Sequence, residues 1–128
     1  AYMESRMAGR EEDPPLERLY LLLSGYAGFF QEQGYELVSR YYQHRLTTPS
    51  FASMAPTRFT LRAMLECIRE IDALGMLIPG QSPEWVADFL FRHFRGVVID
   101  WVLHQGSYPL LPKLEQDYRF FEHTFQAV

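Results

Sequence analysis

The sequence predicts an all-α fold, a bundle of about five helices in one domain. Apolar residues recur at a spacing of three and four over most of the chain, which is the period of an amphipathic helix. No segment shows the sustained alternation of apolar and polar residues that indicates a β-strand. Hydrophobic residues make up 48% of the 128 residues and charged residues 22%, which suits a compact domain with a core of its own.

Composition excludes several classes of protein. The formal net charge is -4 and the 12 lysines and arginines are scattered singly, whereas a surface that binds nucleic acid needs them clustered. The single cysteine permits no internal disulfide, so nothing points to an oxidising compartment. No apolar run reaches the roughly 18 residues of a membrane helix, and no signal peptide is evident. We therefore expect a cytoplasmic protein with no membrane partner.

The first helix is predicted to be long. Pro14 and Pro15 follow a capping carboxylate at Asp13, a combination typical of a helix start. An apolar face then continues for several turns. Gly34 is expected to kink or break this helix and to leave residues 35–46 as a second segment.

A loop and another helix follow. Residues 47–56 are rich in Ser, Thr and Pro, which predicts a loop. Phe51 and Met54 would anchor this loop to the body, either as a lid over a cavity or as a simple packed connector. The next helix is expected to begin with Thr57 as its cap and to stop at Gly75.

The chain is expected to be organised around a very apolar helix over residues 84–104. This helix starts after a cap at Ser82, and its apolar side chains lie on nearly every side, so two of its faces must be covered. Either it is central in a monomer, or a partner chain covers the second face. Gly96 favours close approach by another helix, since a mid-helix glycine costs about 1 kcal/mol relative to alanine. Gly106 stops the helix, and the last helix starts within residues 109–112.

This stretch resembles a known family. The resemblance is carried by the aromatic-rich run Phe89 to Phe94 and by Arg95-Gly96-x-x-x-Asp100-Trp101-x-Leu103-x-x-Gly106-x-Tyr108-x-Leu110. The pattern is similar to the penultimate helix and turn of the regulatory domain in TetR/AcrR-type transcriptional regulators, and it extends more loosely over residues 14–126. The family's N-terminal helix-turn-helix has no counterpart here. The resemblance implies a ligand-binding and dimerisation domain over residues 14–128, with residues 1–13 as the remnant of a linker helix from a missing DNA-binding head.

The resemblance also implies a homodimer. The last two helices of each subunit would form a four-helix interface, and operator DNA would be bound only through the missing head. Effector binding would move the first helix and the head, which changes the spacing of two recognition helices. Arg95 and Asp100 pair poorly within one helix, so we expect them to flank the dimer seam. The residues assigned to the interface are Phe94, Arg95, Gly96, Val97, Val98, Asp100, Trp101, Leu110, Leu114, Phe121 and Phe125.

An excess of aromatic residues predicts a site for a small apolar or aromatic effector. Helical domains of this kind often enclose an apolar cavity in which a few polar groups orient the ligand, and the resemblance places an inducer there. The same side chains would also serve a solid core, in which case the chain is a helical protein-interaction module without a ligand. The predicted wall consists of Tyr26, Phe29, Phe30, Tyr35, Tyr41, Phe59, Met64, Cys67, Ile68, Phe89 and His93.

No residue pattern typical of an enzyme occurs. The histidines lack the spacing of three or four that brings two ligands to one metal on a helix. Cys67 lies on an apolar helix face between Met64 and Ile71, where a small buried hydrophobe is expected rather than a nucleophile. We therefore expect no catalysis, no metal and no cofactor. A small helical enzyme is a third alternative, which would require a polar cavity with strongly perturbed titrating groups.

Overall fold

The computed structural model describes residues 2–48 and 55–125, and the side chains within 5–48 and 59–125. These residues form six α-helices and no β-strand, so the all-α prediction is confirmed and the helix number is one higher than expected. Phe51 and Met54, the predicted loop anchors, lie outside the described residues. The helices are α1 (Tyr2–Met7), α2 (Pro15–Gln33), α3 (Tyr35–Thr47), α4 (Ala55–Ala73), α5 (Pro83–Leu103) and α6 (Leu110–Phe125).

Helix α2, and not α5, is the centre of the bundle. It packs against each of the other five helices. Its side chains Leu19, Leu22, Leu23 and Ala27 are almost completely buried. Helix α5 packs chiefly against α3, α4 and α6. One side of α5 is therefore left uncovered by the residues that the structure describes.

Helix α1 is joined to α2 by one arginine. The guanidinium of Arg6 donates hydrogen bonds to the backbone carbonyl of Leu21, at 3.1 Å, and to the hydroxyl of Ser24, at 3.2 Å. Both acceptors lie on α2. Met7, the residue after Arg6, packs against the hydrophobic core. These contacts connect the N-terminal helix to the central helix of the bundle.

The break predicted at Gly34 is confirmed. Gly34 adopts φ 86° and ψ 149°, a conformation available almost only to glycine. Its backbone N–H donates to the carbonyl of Phe30. Helix α2 ends at Gln33, and α3 begins at Tyr35. The positive φ therefore turns one amphipathic pattern into two helices.

Two other helix ends follow the predicted local chemistry. The Ser82 hydroxyl accepts a hydrogen bond from the backbone N–H of Trp85 at 3.1 Å, which caps α5. After α4, Gly75 has a φ of 73°, and the N–H of Met76 donates to the carbonyl of Ile71 at 3.1 Å. This bond is typical of a helix that ends at a glycine.

Two predicted caps are wrong. The residue that precedes α2 in the cap position is Pro14, which makes no side-chain cap, so Asp13 lies one residue too early to cap the helix. Helix α4 begins at Ala55, ahead of Thr57. Neither Asp13 nor Thr57 therefore occupies the N-cap position for which it was predicted.

Replacing Gly34 with alanine is expected to lower the free energy of unfolding by about 1–3 kcal/mol, because alanine is strained at this positive φ. Gly28 is the matched control. It lies inside α2 with no atom within 4 Å of an added Cβ, so Gly28→Ala should raise the free energy of unfolding by about 0.5–1 kcal/mol. Urea unfolding followed by circular dichroism measures both. Equal stability of Gly34→Ala and the parent chain would contradict the assigned break.

Candidate functional site

Most of the predicted dimer-interface side chains belong to the core of the single chain. Trp101 is only 4% exposed, and its Nε1 donates to the carbonyl of Tyr108 at 2.8 Å. The expectation that a partner chain must cover these side chains is therefore wrong, because α3, α4 and α6 of the same chain pack on α5. The buried members of the predicted interface are Phe94, Val97, Val98, Trp101, Leu110, Leu114 and Phe125.

The exposed side of α5 is not the side that was predicted to form the dimer interface. Leu103 is 75% exposed, and Trp85 and Ile99 are also exposed large apolar side chains. A spacing of three and four residues places them on one side of the helix together with several polar residues. We call the exposed residues of this side the outer stripe: Trp85, Asp88, Arg92, Gly96, Ile99, Asp100, Leu103 and His104.

Gly96 lies in the middle of the outer stripe. It is exposed, and a Cβ built on it meets no atom within 4 Å. No described residue of the chain therefore makes the close helix approach that was predicted at this glycine. The approach that Gly96 permits remains available to another chain.

An aromatic row continues the outer stripe onto α6. The rings of Trp85 and Phe89 are stacked with centroids 5.3 Å apart, and Phe89 contacts Phe121 at 5.5 Å. Phe121 in turn contacts Phe120 at 5.8 Å, and Phe120 is 72% exposed. A row of contacting aromatic rings therefore joins the first part of α5 to α6.

The two charged residues predicted to flank a dimer seam have different surroundings. Arg95 is half-buried, with its guanidinium 5.3 Å from the ring centroid of Phe91. Asp100 is exposed on the outer stripe, where its Oδ2 accepts a hydrogen bond from the hydroxyl of Tyr108 at 2.7 Å. Burial, and to a smaller extent the hydrogen bond to Asp100, raises the pKa of Tyr108 to about 12. Only Asp100 therefore lies on the outer stripe.

Part of the predicted effector wall forms one aromatic group. The Tyr26 and Phe30 rings are 4.8 Å apart, and Phe30 also contacts Phe29 and Tyr41. Tyr42, which the prediction omitted, joins the group through Phe30 and Tyr41. We call Tyr26, Phe30, Tyr41 and Tyr42 the tyrosine cluster; it lies where α2 and α3 meet.

The hydroxyls of the tyrosine cluster bond within the chain. Those of Tyr26 and Tyr42 are 3.2 Å apart, and the hydroxyl of Tyr41 accepts from Nη1 of Arg45 at 2.9 Å. Burial raises the pKa of Tyr26 well above its ordinary value, and the neighbouring Tyr42 adds to the effect. No buried side-chain nitrogen or oxygen among the described residues lacks a hydrogen-bond partner. The cluster is therefore packed in the manner of a solid core.

The other predicted wall residues lie elsewhere. Met64, Cys67 and Ile68 are buried in the core on α4, and burial raises the pKa of the Cys67 thiol to about 11, which keeps it protonated at neutral pH. Phe59 is half-buried on the same helix. The ring of Tyr35 lies against Gly106, where an added Cβ would be 3.0 Å from Cδ1 of the tyrosine.

Phe89 and His93 belong to the contact between α5 and α6. Nε2 of His93 is 2.9 Å from Oδ2 of Asp117, and its ring contacts Phe94 and Phe121. His93 was predicted to offer a polar contact to an effector. In the structure its recorded polar partner is the carboxylate on α6.

An open cleft that the sequence did not suggest lies beside the start of α2. Its volume is about 450 Å³, and carboxylates supply much of its polar lining. Glu70, one of the lining residues, forms an ion pair with Arg18. The lining residues are Glu11, Glu12, Asp13, Pro14, Pro15, Glu70, Ala73 and Leu74.

The described residues contain no group of three or more His, Cys, Asp or Glu side chains placed to hold a metal ion. None of the helices in the described ranges has the length and apolar content needed to cross a bilayer. No family model, curated protein or solved structure matches the chain.

Proposed function

We propose that this chain is the effector-binding and dimerisation domain of a cytoplasmic, homodimeric transcriptional regulator of the TetR type. Operator DNA would be bound by an N-terminal head attached to α1. The observation that carries the proposal is the exposed apolar surface formed by the outer stripe of α5 and the adjoining Phe120 of α6. The residues that carry the sequence resemblance lie on α5 and in the turn that follows it.

The outer stripe supports a homodimer because exposed large apolar side chains on one side of a helix are typical of an interaction site. Leu103 and Phe120 are each more than 70% exposed although both are large and apolar. Two copies related by a twofold axis would bury the same patch on both chains. The interface would then contain α5 and α6 of each copy, while the buried faces of these helices remain in the cores of their own subunits.

The contact between α1 and α2 supports a route from an effector to the head. Arg6 binds Leu21 and Ser24 on α2, within about one and a half turns of Tyr26 in the tyrosine cluster. An effector that entered this cluster would separate Tyr26 from Tyr42 and displace α2 relative to α3. Arg6 would pass that displacement to α1 and so to the head.

The Tm of the chain, measured with each of a panel of small aromatic and apolar compounds, tests whether an effector binds. At about 100 times its Kd, an effector should raise the Tm of the parent chain by about 5 °C or more. Tyr26→Phe/Tyr42→Phe removes both hydroxyls together and leaves neither one unpaired. We expect a smaller Tm increase in this double variant for compounds that carry a hydrogen-bonding group. Arg40→Asp, at an exposed position on α3, serves as the surface control.

A helical protein-interaction module with a solid aromatic core is a second candidate. It is favoured by the paired hydroxyls of Tyr26 and Tyr42 and by the absence of unpartnered buried polar atoms among the described side chains. A panel in which no compound changes the Tm would favour this module over an effector-binding domain. The dimer would not be affected by that outcome, because the outer stripe lies on another part of the molecule.

A further inference from the structure

We infer that two copies of α5 cross in antiparallel orientation at Gly96, with Arg92 of each chain paired with Asp100 of the partner subunit. Such a crossing rests on the proposed homodimer and specifies the contacts that hold it together. Two observations carry it: a bare glycine at the midpoint of the outer stripe, and the order of the charges on either side of that glycine.

One row of residues follows α5 at a spacing of four. It consists of Glu84, Asp88, Arg92, Gly96, Asp100 and the C-cap residue His104, all exposed. Rows of this spacing form ridges that interlock when two helices pack at about -50°, the commonest crossing angle. The backbones come closest at the crossing point, so a residue without a side chain is favoured there. Gly96 lies between the charged residues Arg92 and Asp100 of the row, and a Cβ built on it meets no described atom within 4 Å.

The charges select the antiparallel orientation. A twofold axis at Gly96 places each residue before the glycine opposite the residue equally far after it. Arg92 then faces Asp100 of the partner subunit, about 6 Å along the helix axis from the crossing point, and Asp88 faces His104 of the partner subunit. A parallel crossing would instead place Arg92 against Arg92 and Asp100 against Asp100, and like charges in an interface are repulsive.

Both charged groups keep hydrogen-bonding capacity for a partner. In the described part of the chain, the hydrogen bond recorded for the Arg92 guanidinium uses Nε, which donates to Oδ2 of Asp88 at 2.8 Å. The Asp100 carboxylate accepts the Tyr108 hydroxyl through Oδ2, and His104 lies 3.5 Å from the same oxygen. The two Nη groups of Arg92 and Oδ1 of Asp100 therefore remain to join the chains.

Leu103 of the outer stripe also finds an apolar neighbour in this register. The antiparallel crossing sets Phe89 opposite Leu103 of the partner subunit, beside the pair formed by Arg92 and Asp100. Leu103 is largely exposed in the single chain. Apolar contacts that surround a charged pair exclude water and strengthen it. The same register therefore pairs the charges and covers Leu103.

Reversing the charge of Arg92, of Asp100 and then of both residues together tests the proposed register. Arg92→Asp and Asp100→Arg should each raise the Kd of the dimer at least about tenfold, because each substitution places like charges together twice in a symmetric dimer. Arg92→Asp/Asp100→Arg restores opposite charges and should return the Kd to within about threefold of the parent value. Arg40→Asp on α3 makes the same charge change at another exposed position and should leave the Kd unchanged. Sedimentation equilibrium gives each Kd, and circular dichroism checks that each variant is folded.

The outcomes separate this register from the proposed dimer. A parent chain that dimerises, combined with single reversals that leave its Kd unchanged, would overturn the Arg92–Asp100 pairing and leave the dimer standing. Failure of the double variant to recover affinity would overturn the pairing in the same way. A parent chain that stays monomeric would overturn both the register and the dimer.

Discussion

Leu114→Ala is expected to lower the free energy of unfolding by about 3–5 kcal/mol, because truncating a fully buried leucine loses its contacts and leaves a cavity. Leu114 on α6 is 0% exposed in the single chain, although the sequence assigned it to a dimer interface. Its loss should therefore act on the unfolding of each subunit. Urea unfolding at fixed protein concentration measures the change.

Leu46→Ala is the matched control for Leu114→Ala. It makes the same substitution within a helix, but Leu46 on α3 is 79% exposed. An exposed site of this kind usually changes the free energy of unfolding by less than about 0.5 kcal/mol. Similar losses from the two variants would contradict the burial that the structure assigns to α6.

Ile99→Asp/Leu103→Asp is expected to dissociate the proposed dimer, with a Kd at least about 100-fold above that of the parent chain. Each subunit would bring two carboxylates into a buried apolar contact. An unpaired buried charge costs several kcal/mol, and each 1.4 kcal/mol of binding free energy corresponds to about a tenfold change in Kd. Both side chains are exposed in the single chain, so the isolated subunit should remain folded. Sedimentation equilibrium measures the Kd.

Leu37→Asp/Leu46→Asp is the control for the variant of the outer stripe. These leucines are exposed on α3, outside the outer stripe, and the change in charge is the same. The control should leave association unchanged. If the two double variants weakened association equally, the effect would come from charge alone, and the outer stripe would have no special part in the dimer.

Local chemistry explains the features that could be predicted from the sequence. A serine cap at Ser82 and the stops at Gly34 and Gly75 depend on a few neighbouring residues, and the structure has all three at the expected places. Asp13 failed as a cap because two prolines follow it, and α2 begins at the second of them. Neighbouring residues alone do not decide between two adjacent starting points.

The covered side of α5 could not be predicted, because it depends on contacts with distant parts of the chain. Apolar residues occur on almost every side of this helix, so periodicity alone did not distinguish Trp101, which is buried, from Leu103, which is exposed. The distinguishing signal was the charged row that contains Arg92 and Asp100. Charged side chains rarely lie buried without partners, so this row marks the exposed side and the apolar residues beside it.

The packing of the candidate effector site also depends on contacts between separate helices. Aromatic composition correctly brought Tyr26, Phe30 and Tyr41 together, but it could not reveal that Tyr42 would pair with the hydroxyl of Tyr26. That pairing depends on the angle between α2 and α3, which the conformation of Gly34 sets. A wall for a ligand and a filled core use the same residue types.

Sedimentation equilibrium of the parent chain over the micromolar range tests the central claim, that the outer stripe is covered by a second copy of the chain. The proposed dimer predicts a mass of twice the 15.1 kDa of one chain, which falls to 15.1 kDa in Ile99→Asp/Leu103→Asp. A mass of 15.1 kDa for the parent chain at every concentration would contradict the claim.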